Sequence, residues 1–485
     1  KIAGLNYYLT LKKVGLKQEA VMIRYRTLSS RRLWDKTEEA DFNTNEYIER
    51  DVFDKLKNNL RTKKIEVIYG PRQSGKTTLL MFLIDYLNTT GVGENDIWYV
   101  NLDLISDYAL FEKPGNFIYL YDKMQGEGSV NGNARVYLFI DEIQRLENPG
   151  FFLKGIYDSR RNIKVFVSGS ASFEIKAKVK EFLTGRKRLH LVLPLSFREI
   201  VAAKCIIPTD LSKQKIDCRT IDEWLKADEV YRRYLREELE SVLVYGLYPA
   251  VYALEDPAAK LEELYEIYNS YLKKDVYDYF KVDRPEVFNN LVKVLANQVG
   301  NMINVSELCG LLSGTRDTIE RYMDILKDTF IISLLKPFTS NKRSEVKYSN
   351  KIYFNDPGIR NLSLKNLSSA VDRSDIGSMV ENIVFTEILK KQELLDDLYY
   401  WRTKSKAEMD FIYSRGEHII PIEVKTGSAR IGTLTRSFHS FIDTYNPRQA
   451  VFINKDKFGH LKVGETDVYY IPVTWFLLFG VGMLV

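Results

Sequence analysis

Along the chain, short runs of β-branched and aromatic residues alternate with longer stretches whose apolar positions recur every three or four residues. Ile65 to Tyr69 predicts a strand, and Thr77 to Leu87 predicts a helix through Leu79, Leu80, Phe82, Leu83 and Leu87. Val136 to Ile140 is apolar on both faces, which suits a central parallel strand, and further strands are predicted at Ile97 to Asp103, Ile163 to Ser170 and Leu189 to Leu195. Strand alternating with helix implies an α/β unit with a parallel sheet covered on both faces.

The pattern changes after residue 200. The segment 201–285 is rich in Glu, Lys, Leu and Tyr, with helical spacing through Val230, Tyr234, Leu235, Leu239 and Val242, and reads as a helical lid. Between 286 and 345 come an amphipathic helix, a short helix at Val305 to Leu312, a turn at Ser313 and Gly314, a helix from Thr315 to Lys327, and a β-branched run. That order predicts a winged helix-turn-helix. Residues 346–485 hold a helix at 377–392 and two strand-like runs, "AEMDFIYS" and "IIPIEVKTG", which fit a hairpin with "RGEH" at the bend. The first 45 residues, polar and charged around "SSRRLWDKTEEADFNTN", read as a peripheral arm.

Composition adds bounds. A chain of 485 residues with 45% apolar and 28% charged residues is an ordinary multidomain globular protein. A net charge of +5 permits nucleic acid as a partner without requiring it. Cys205, Cys218 and Cys309 lie far apart, which argues against a disulfide framework or a zinc site and for a reducing, cytoplasmic setting. No run reaches the ~20 apolar residues that span a bilayer. The closest, "IPVTWFLLFGVGMLV" at 471–485, is expected to be a buried segment rather than an anchor, so no stable membrane insertion is expected.

The chemistry begins at the first strand-to-helix turn. Gly70, Pro71, Arg72, Gln73, Ser74, Gly75, Lys76, Thr77 and Thr78 have the composition and position of a phosphate-binding loop. Glycines let backbone N–H groups converge on phosphate oxygens, the helix N-terminus favours an anion, Lys76 reaches the outer phosphates, and Thr77 can ligate Mg2+. Asp141 ends the apolar strand and can hold the metal with Thr77, while Glu142 beside it can polarise a water. Ser168 and Ser170 follow a strand as a γ-phosphate sensor would, or as ordinary turn serines. Arg186, in "TGRKRLH", is either an arginine finger for a neighbouring subunit's nucleotide in a homo-oligomer or part of a solvated basic turn.

The order "GPRQSGKTTL", "FIDEIQ", "VFVSGSAS", "LTGRKRLHLVLPLSFREI" resembles prokaryotic AAA-type P-loop ATPases that carry a C-terminal domain of unknown function with a nuclease-like fold. The likeness covers roughly residues 46–430, and "PLSFREI" is more telling than the loop. It implies ATP as the nucleotide, an additional-strand arrangement of the sheet in an ATPase domain at 46–200, and a winged helix opening the C-terminal region.

Two further residue sets bear on partners. Arg316, Arg321 and Lys327 are placed to face DNA phosphates, although winged helices also serve as protein contacts. Glu381 falls on the apolar stripe of its helix with Phe385 and Ile388, whereas Glu387 is expected to be solvated. Asp410 sits mid-strand, and Glu423 and Lys425 share a strand face. Glu381, Asp410, Glu423 and Lys425 match the acid, acid-x-lysine arrangement of PD-(D/E)xK restriction-type nucleases, which implies carboxylates around Mg2+. Met409 stands where that motif has proline, so an active nuclease and an inert fold used for recognition both remain open. "YYWRTKSK" offers aromatics among bases for nucleic acid, or Trp401 as core.

Overall fold

The computed structural model describes residues 21–27, 37–42, 48–103, 111–126, 135–170, 185–204, 216, 220–270, 276, 280, 282–338, 349–427 and 430–483. The chain forms two compact units, Lys1–Gly70 with Gly75–Val192, and Pro71–Ser74 with Leu193–Val485.

The first unit is built on a seven-stranded sheet: β1 (Val21–Thr27), β2 (Thr37–Phe42), β3 (Ile65–Tyr69), β4 (Ile97–Asn101), β5 (Val136–Asp141), β6 (Ile163–Gly169) and β7 (Lys187–Leu191), in the order β2-β1-β4-β5-β6-β3-β7. All neighbours are parallel except β1 and β2. One strand, β6, thus separates the loop-bearing β3 from the acid-bearing β5, which is the additional-strand order. Helices α1 (Val52–Asn58), α2 (Lys76–Thr89), α3 (Pro114–Gly126) and α4 (Pro149–Asp158) belong to this unit. Because strand side chains alternate, Leu138 and Ile140 enter one core with Trp98, Phe117 and Phe152, while Phe139 enters the other with Leu79, Leu83 and Phe166. Phe139 and Phe166 stack with centroids 5.0 Å apart. The continuous apolar run Val136–Ile140 on β5 is therefore explained by burial on both faces, while β3 and β6, equally covered, carry one buried charge each, Glu66 and Lys164.

The expected strand at 189–195 is shifted to Lys187–Leu191. Within the segment expected as a peripheral arm, β1 and β2 instead pair as an antiparallel ribbon, and β1 lies parallel to β4. Half of β2 is charged (TEEADF), a composition typical of loops, but edge strands tolerate charge because only one side of the ladder must pair.

The second unit contains α5 (Phe197–Ala203), α6 (Ile221–Tyr245), α7 (Pro249–Ala253), α8 (Pro257–Ser270), α9 (Pro285–Asn297), α10 (Val305–Leu312), α11 (Arg316–Asp328), α12 (Pro357–Ser363), α13 (Ile376–Lys391), α14 (Arg436–Tyr445) and α15 (Val473–Phe479). Its eight strands are β8 (Ile332–Pro337), β9 (Lys351–Phe354), β10 (Asp396–Arg402), β11 (Glu408–Arg415), β12 (His418–Val424), β13 (Gln449–Asn454), β14 (Gly459–Val463) and β15 (Thr466–Pro472). The sheet order is β14-β15-β13-β12-β11-β10-β8-β9. Helices α9 to α11 are followed by the antiparallel pair β8 and β9, and β8 also runs parallel to β10. The hairpin of β11 and β12 turns at Gly416, whose φ of 62° suits glycine.

Helix α13 is buried on nearly every side, so Glu387, expected to be solvated, is fully buried. Its carboxylate accepts from the Phe197 N–H at 3.2 Å and from Lys390 Nζ at 2.8 Å, which supplies the partners that burial of a charge demands. The apolar C-terminal stretch folds as buried α15, with the Trp475 indole N–H donating to Asp228 at 2.8 Å. Among the described residues no helix is long and apolar enough to cross a membrane.

Candidate functional site

The carboxyl ends of β3, β5 and β6 lie side by side: Tyr69 pairs with Gly169 and Ile140 with Val167. Leaving β3, the backbone passes so close to Val192 that a Cβ on Gly70 would lie 2.1 Å from the Val192 carbonyl oxygen. Only glycine fits there. Pro71, Arg72, Gln73 and Ser74 make the turn, with Gln73 at φ 55° and the Ser74 hydroxyl donating to the Pro71 carbonyl at 2.9 Å. Gly75 caps α2 in the left-handed conformation, φ 89°, so Lys76, Thr77 and Thr78 form the first turn of a helix whose N-terminal amides face the strand ends. Lys76 is buried.

Asp141 is the hub. It accepts from the Thr77 hydroxyl at 2.7 Å and the Tyr99 hydroxyl at 3.2 Å on Oδ2, and on Oδ1 from the Ser168 hydroxyl and, at 3.1 Å, the Glu142 N–H. Glu142 holds φ at 56°, a left-handed value that costs a non-glycine residue about 1 kcal/mol. That turn swings its carboxylate toward Ser170 (3.5 Å) and the Gln144 amide. Gln144 Nε2 also donates to the Ser170 hydroxyl at 2.8 Å, while its buried Oε1 has no hydrogen-bond partner among the described residues. The structure thus brings together Lys76, Thr77, Asp141, Glu142, Ser168 and Ser170. Sequence reading missed Gln144, although its place two residues after Glu142 in "DEIQ" was the available signal.

Arg186 is not with them. It ion-pairs with Asp158 at 3.3 Å and its carbonyl accepts from the Ile65 N–H, at the far end of β3. Four residues at about 3.3 Å each put it about 13 Å down the strand from Tyr69. Beside that end is a buried charge cluster: Glu66 with Lys164 at 2.7 Å and His190 at 2.6 Å. Burial lowers Lys164 to about 8, and His190 and Lys164 hold the Glu66 carboxyl below its ordinary value against the opposing effect of burial.

In the second unit, the four residues expected as a nuclease-like site converge. Val424 N–H donates to Asp410 Oδ2 at 2.8 Å, and Lys425 pairs with Glu423 at 2.9 Å. Burial and the charge of Asp410 push Glu381 up to about 7 and raise Glu423. Three residues not anticipated complete the cluster. Lys351, almost fully buried, lies 2.6 Å from Glu408 and 3.6 Å from Glu381, and the Tyr353 hydroxyl donates to Glu381 at 2.7 Å. Lys351 and Tyr353 share a face of β9, a period-two signal that "NKIYF" carries. Trp401 is core, edge-on to Phe441 at 5.2 Å. Arg316, Arg321 and Lys327 are exposed on α11 and paired with Glu320, Asp283 and Asp324 at 2.6–2.8 Å. Exposed pairs of this kind are weak and open easily to another anion.

Among the described residues no group of three His, Cys, Asp or Glu side chains is arranged to hold a metal ion. At the first site this is no obstacle to Mg2+, which keeps several waters and binds through one or two protein oxygens plus substrate phosphates. Thr77 and Asp141 supply that pair.

Residues 62–201 match the profile of a family described as an AAA domain, while 236–370 and 376–476 match domains of unknown function, DUF8612 and DUF4143. An uncharacterized protein of Haemophilus influenzae is 24% identical over 86% of this chain and 95% of its own length. One of Methanocaldococcus jannaschii is 26% identical over 77% of each. Among solved structures, AMPPCP-bound DnaA from Aquifex aeolicus is 14% identical over 57% of this chain and 86% of that one, with a TM-score of 0.22, too loose a superposition to carry a functional inference.

Proposed function

We propose that the protein binds ATP with Mg2+ and hydrolyses it, and that the nucleotide state governs binding to DNA. The observation that carries the reading is the hydrogen-bonded set Thr77, Asp141 and Ser168, with Glu142 adjoining, at the carboxyl ends of parallel strands, where open α/β sheets take their ligands. The AAA-domain match over the same residues supports it.

In this reading the amides at the start of α2 and the Lys76 ammonium hold the outer phosphates, and Thr77 and Asp141 hold the metal. Bound Mg2+ neutralises charge on the phosphate oxygens. Glu142 accepts the proton of the attacking water, Ser168 and Ser170 report on the terminal phosphate, and Arg186 serves a neighbouring subunit of a homo-oligomer. Residues 46–200 form the ATPase domain, 201–285 the helical lid, 286–345 a winged helix that uses α11 and its arginines on DNA phosphates, and 346–485 the nuclease-like domain.

A specific observation favours a binding switch over DNA cleavage for the last domain: its acids are compensated by lysines, with Lys351 buried among them. The test is DNA binding at low salt with ATP, ADP and no nucleotide, together with incubation of supercoiled DNA in Mn2+. Nucleotide-dependent binding without nicking is expected. Nicking lost in Asp410→Ala restores the processing reading, and absence of DNA binding in every state refutes the coupling to DNA.

A further inference from the structure

The acidic cleft of the second unit differs from a metal site in one respect that the chain itself supplies. We infer that Lys351 is the resident cation of this cleft, its ammonium standing where a nuclease-like fold would hold a divalent metal, so that the cleft binds no Mg2+ or Mn2+.

Four carboxylates make up the acidic cluster: Glu381, Glu408, Asp410 and Glu423. The Lys351 ammonium lies 2.6 Å from Glu408 Oε1 and 3.6 Å from Glu381 Oε1, and 5.5 Å from the centre of the Tyr400 ring. Its side chain is only 2% exposed. Two carboxylates and the face of the Tyr400 ring surround the buried head group, the setting that a buried ammonium requires. Each carboxylate has a further local partner on one oxygen: Glu381 Oε1 also takes the Tyr353 hydroxyl, Asp410 Oδ2 the Val424 N–H, Glu423 Oε1 the Lys425 ammonium at 2.9 Å, and Glu408 Oε2 the Arg402 guanidinium at 3.2 Å. The buried Glu423 Oε2 has no hydrogen-bond partner among the described residues.

Position explains why the lysine cannot simply move aside. Lys351 opens β9, where its backbone pairs with Leu335 on β8 and bridges Met302, and the next residue on the same face, Tyr353, is bonded to the same Glu381. A 2% exposed side chain rooted on a paired strand leaves its place only by giving up its contacts with Glu408 and Glu381. A divalent ion entering beside it would meet a like charge a few ångströms away in a low-dielectric setting, where such repulsion is strongly unfavourable. It would also have to draw Glu408 and Glu381 away from the Lys351 ammonium.

This inference concerns the second unit alone and stands or falls apart from the nucleotide reading. The full chain carrying Asp141→Asn, which removes the carboxylate hub of the other site, is titrated with Mn2+ without nucleotide and followed by electron paramagnetic resonance and thermal unfolding. With Lys351 present, no bound Mn2+ and no shift of the unfolding midpoint are expected. Lys351→Ala is expected to gain one bound Mn2+ per chain and a midpoint that rises with Mn2+, both lost on adding Asp410→Asn. Mn2+ bound by the Lys351 chain and abolished by Asp410→Asn overturns the inference, as does a folded Lys351→Ala chain that binds none. If Lys351→Ala fails to fold, the titration of the Lys351 chain decides.

Discussion

The Thr77 hydroxyl donates to Asp141 Oδ2 across 2.7 Å, although 64 residues separate the two in sequence. The sheet order causes this: β3 and β5 flank β6, Asp141 ends β5, and Thr77 lies in the first turn of the helix that follows β3. In the proposed nucleotide reading, two oxygens for Mg2+ are thereby preset. Asp141→Asn is expected to weaken ATP binding in Mg2+ by about tenfold or more while leaving binding in EDTA nearly unchanged, as loss of a metal-site partner typically does. Equal losses in both conditions would assign Asp141 to packing.

In the proposed mechanism the left-handed Glu142 and its neighbour Gln144 act on turnover rather than on binding. Removing a general base costs about 10²–10⁴-fold in rate, so Glu142→Gln should retain ATP and lose hydrolysis to that extent. Gln144→Ala frees the Glu142 carboxylate from one of its partners. It should lower kcat with little change in ATP affinity, and add little further loss when combined with Glu142→Gln, since residues acting as a unit are not additive. Full additivity, read from single-turnover rates of both singles and the double, would separate the two roles.

Gly70 tests the loop's anchoring. A methyl group there meets backbone, the Val192 carbonyl at 2.1 Å, which cannot rotate away as a side chain would. Gly70→Ala should destabilise the first unit by about 1–3 kcal/mol, the usual range for overpacking, and displace the loop. Chemical unfolding with a nucleotide-affinity measurement checks both effects.

Glu381 makes stability depend on pH. Burial and Asp410 raise its pKa from 4.5 to about 7 in the folded chain, so between those values the native state keeps a proton that the unfolded state releases. Stability from this group is complete below pH 4.5 and is lost as pH rises through 7. Glu381→Gln remains neutral throughout. It should match the parent near pH 4.5 and exceed it at pH 8 by at most about 3 kcal/mol. A variant less stable than the parent at pH 8 would show that the Lys351 contact outweighs burial.

The first unit was largely legible because its signals are local. A strand, a glycine turn and a helix follow one another within residues 65–87, and the acid ends an apolar run. The second site was legible in its expected acids but not in its charge balance. Lys351 lies 30 residues before Glu381 and 57 before Glu408, and nothing in "SNKIYF" distinguishes a buried lysine from a solvated one until β9 is paired with β8. Glu387 was misread for a related reason: its partner, the Phe197 N–H, lies 190 residues away. The ribbon of β1 and β2 escaped notice because edge strands need not be apolar.

The most direct measurement is equilibrium binding of a fluorescent ATP analogue with phosphate release on the same preparation, comparing the parent chain with Lys76→Ala. The account expects saturable, Mg2+-dependent binding and steady turnover in the parent, with both lost in Lys76→Ala. Turnover that persists in Lys76→Ala, or a parent chain that binds no nucleoside triphosphate in Mg2+, would contradict it.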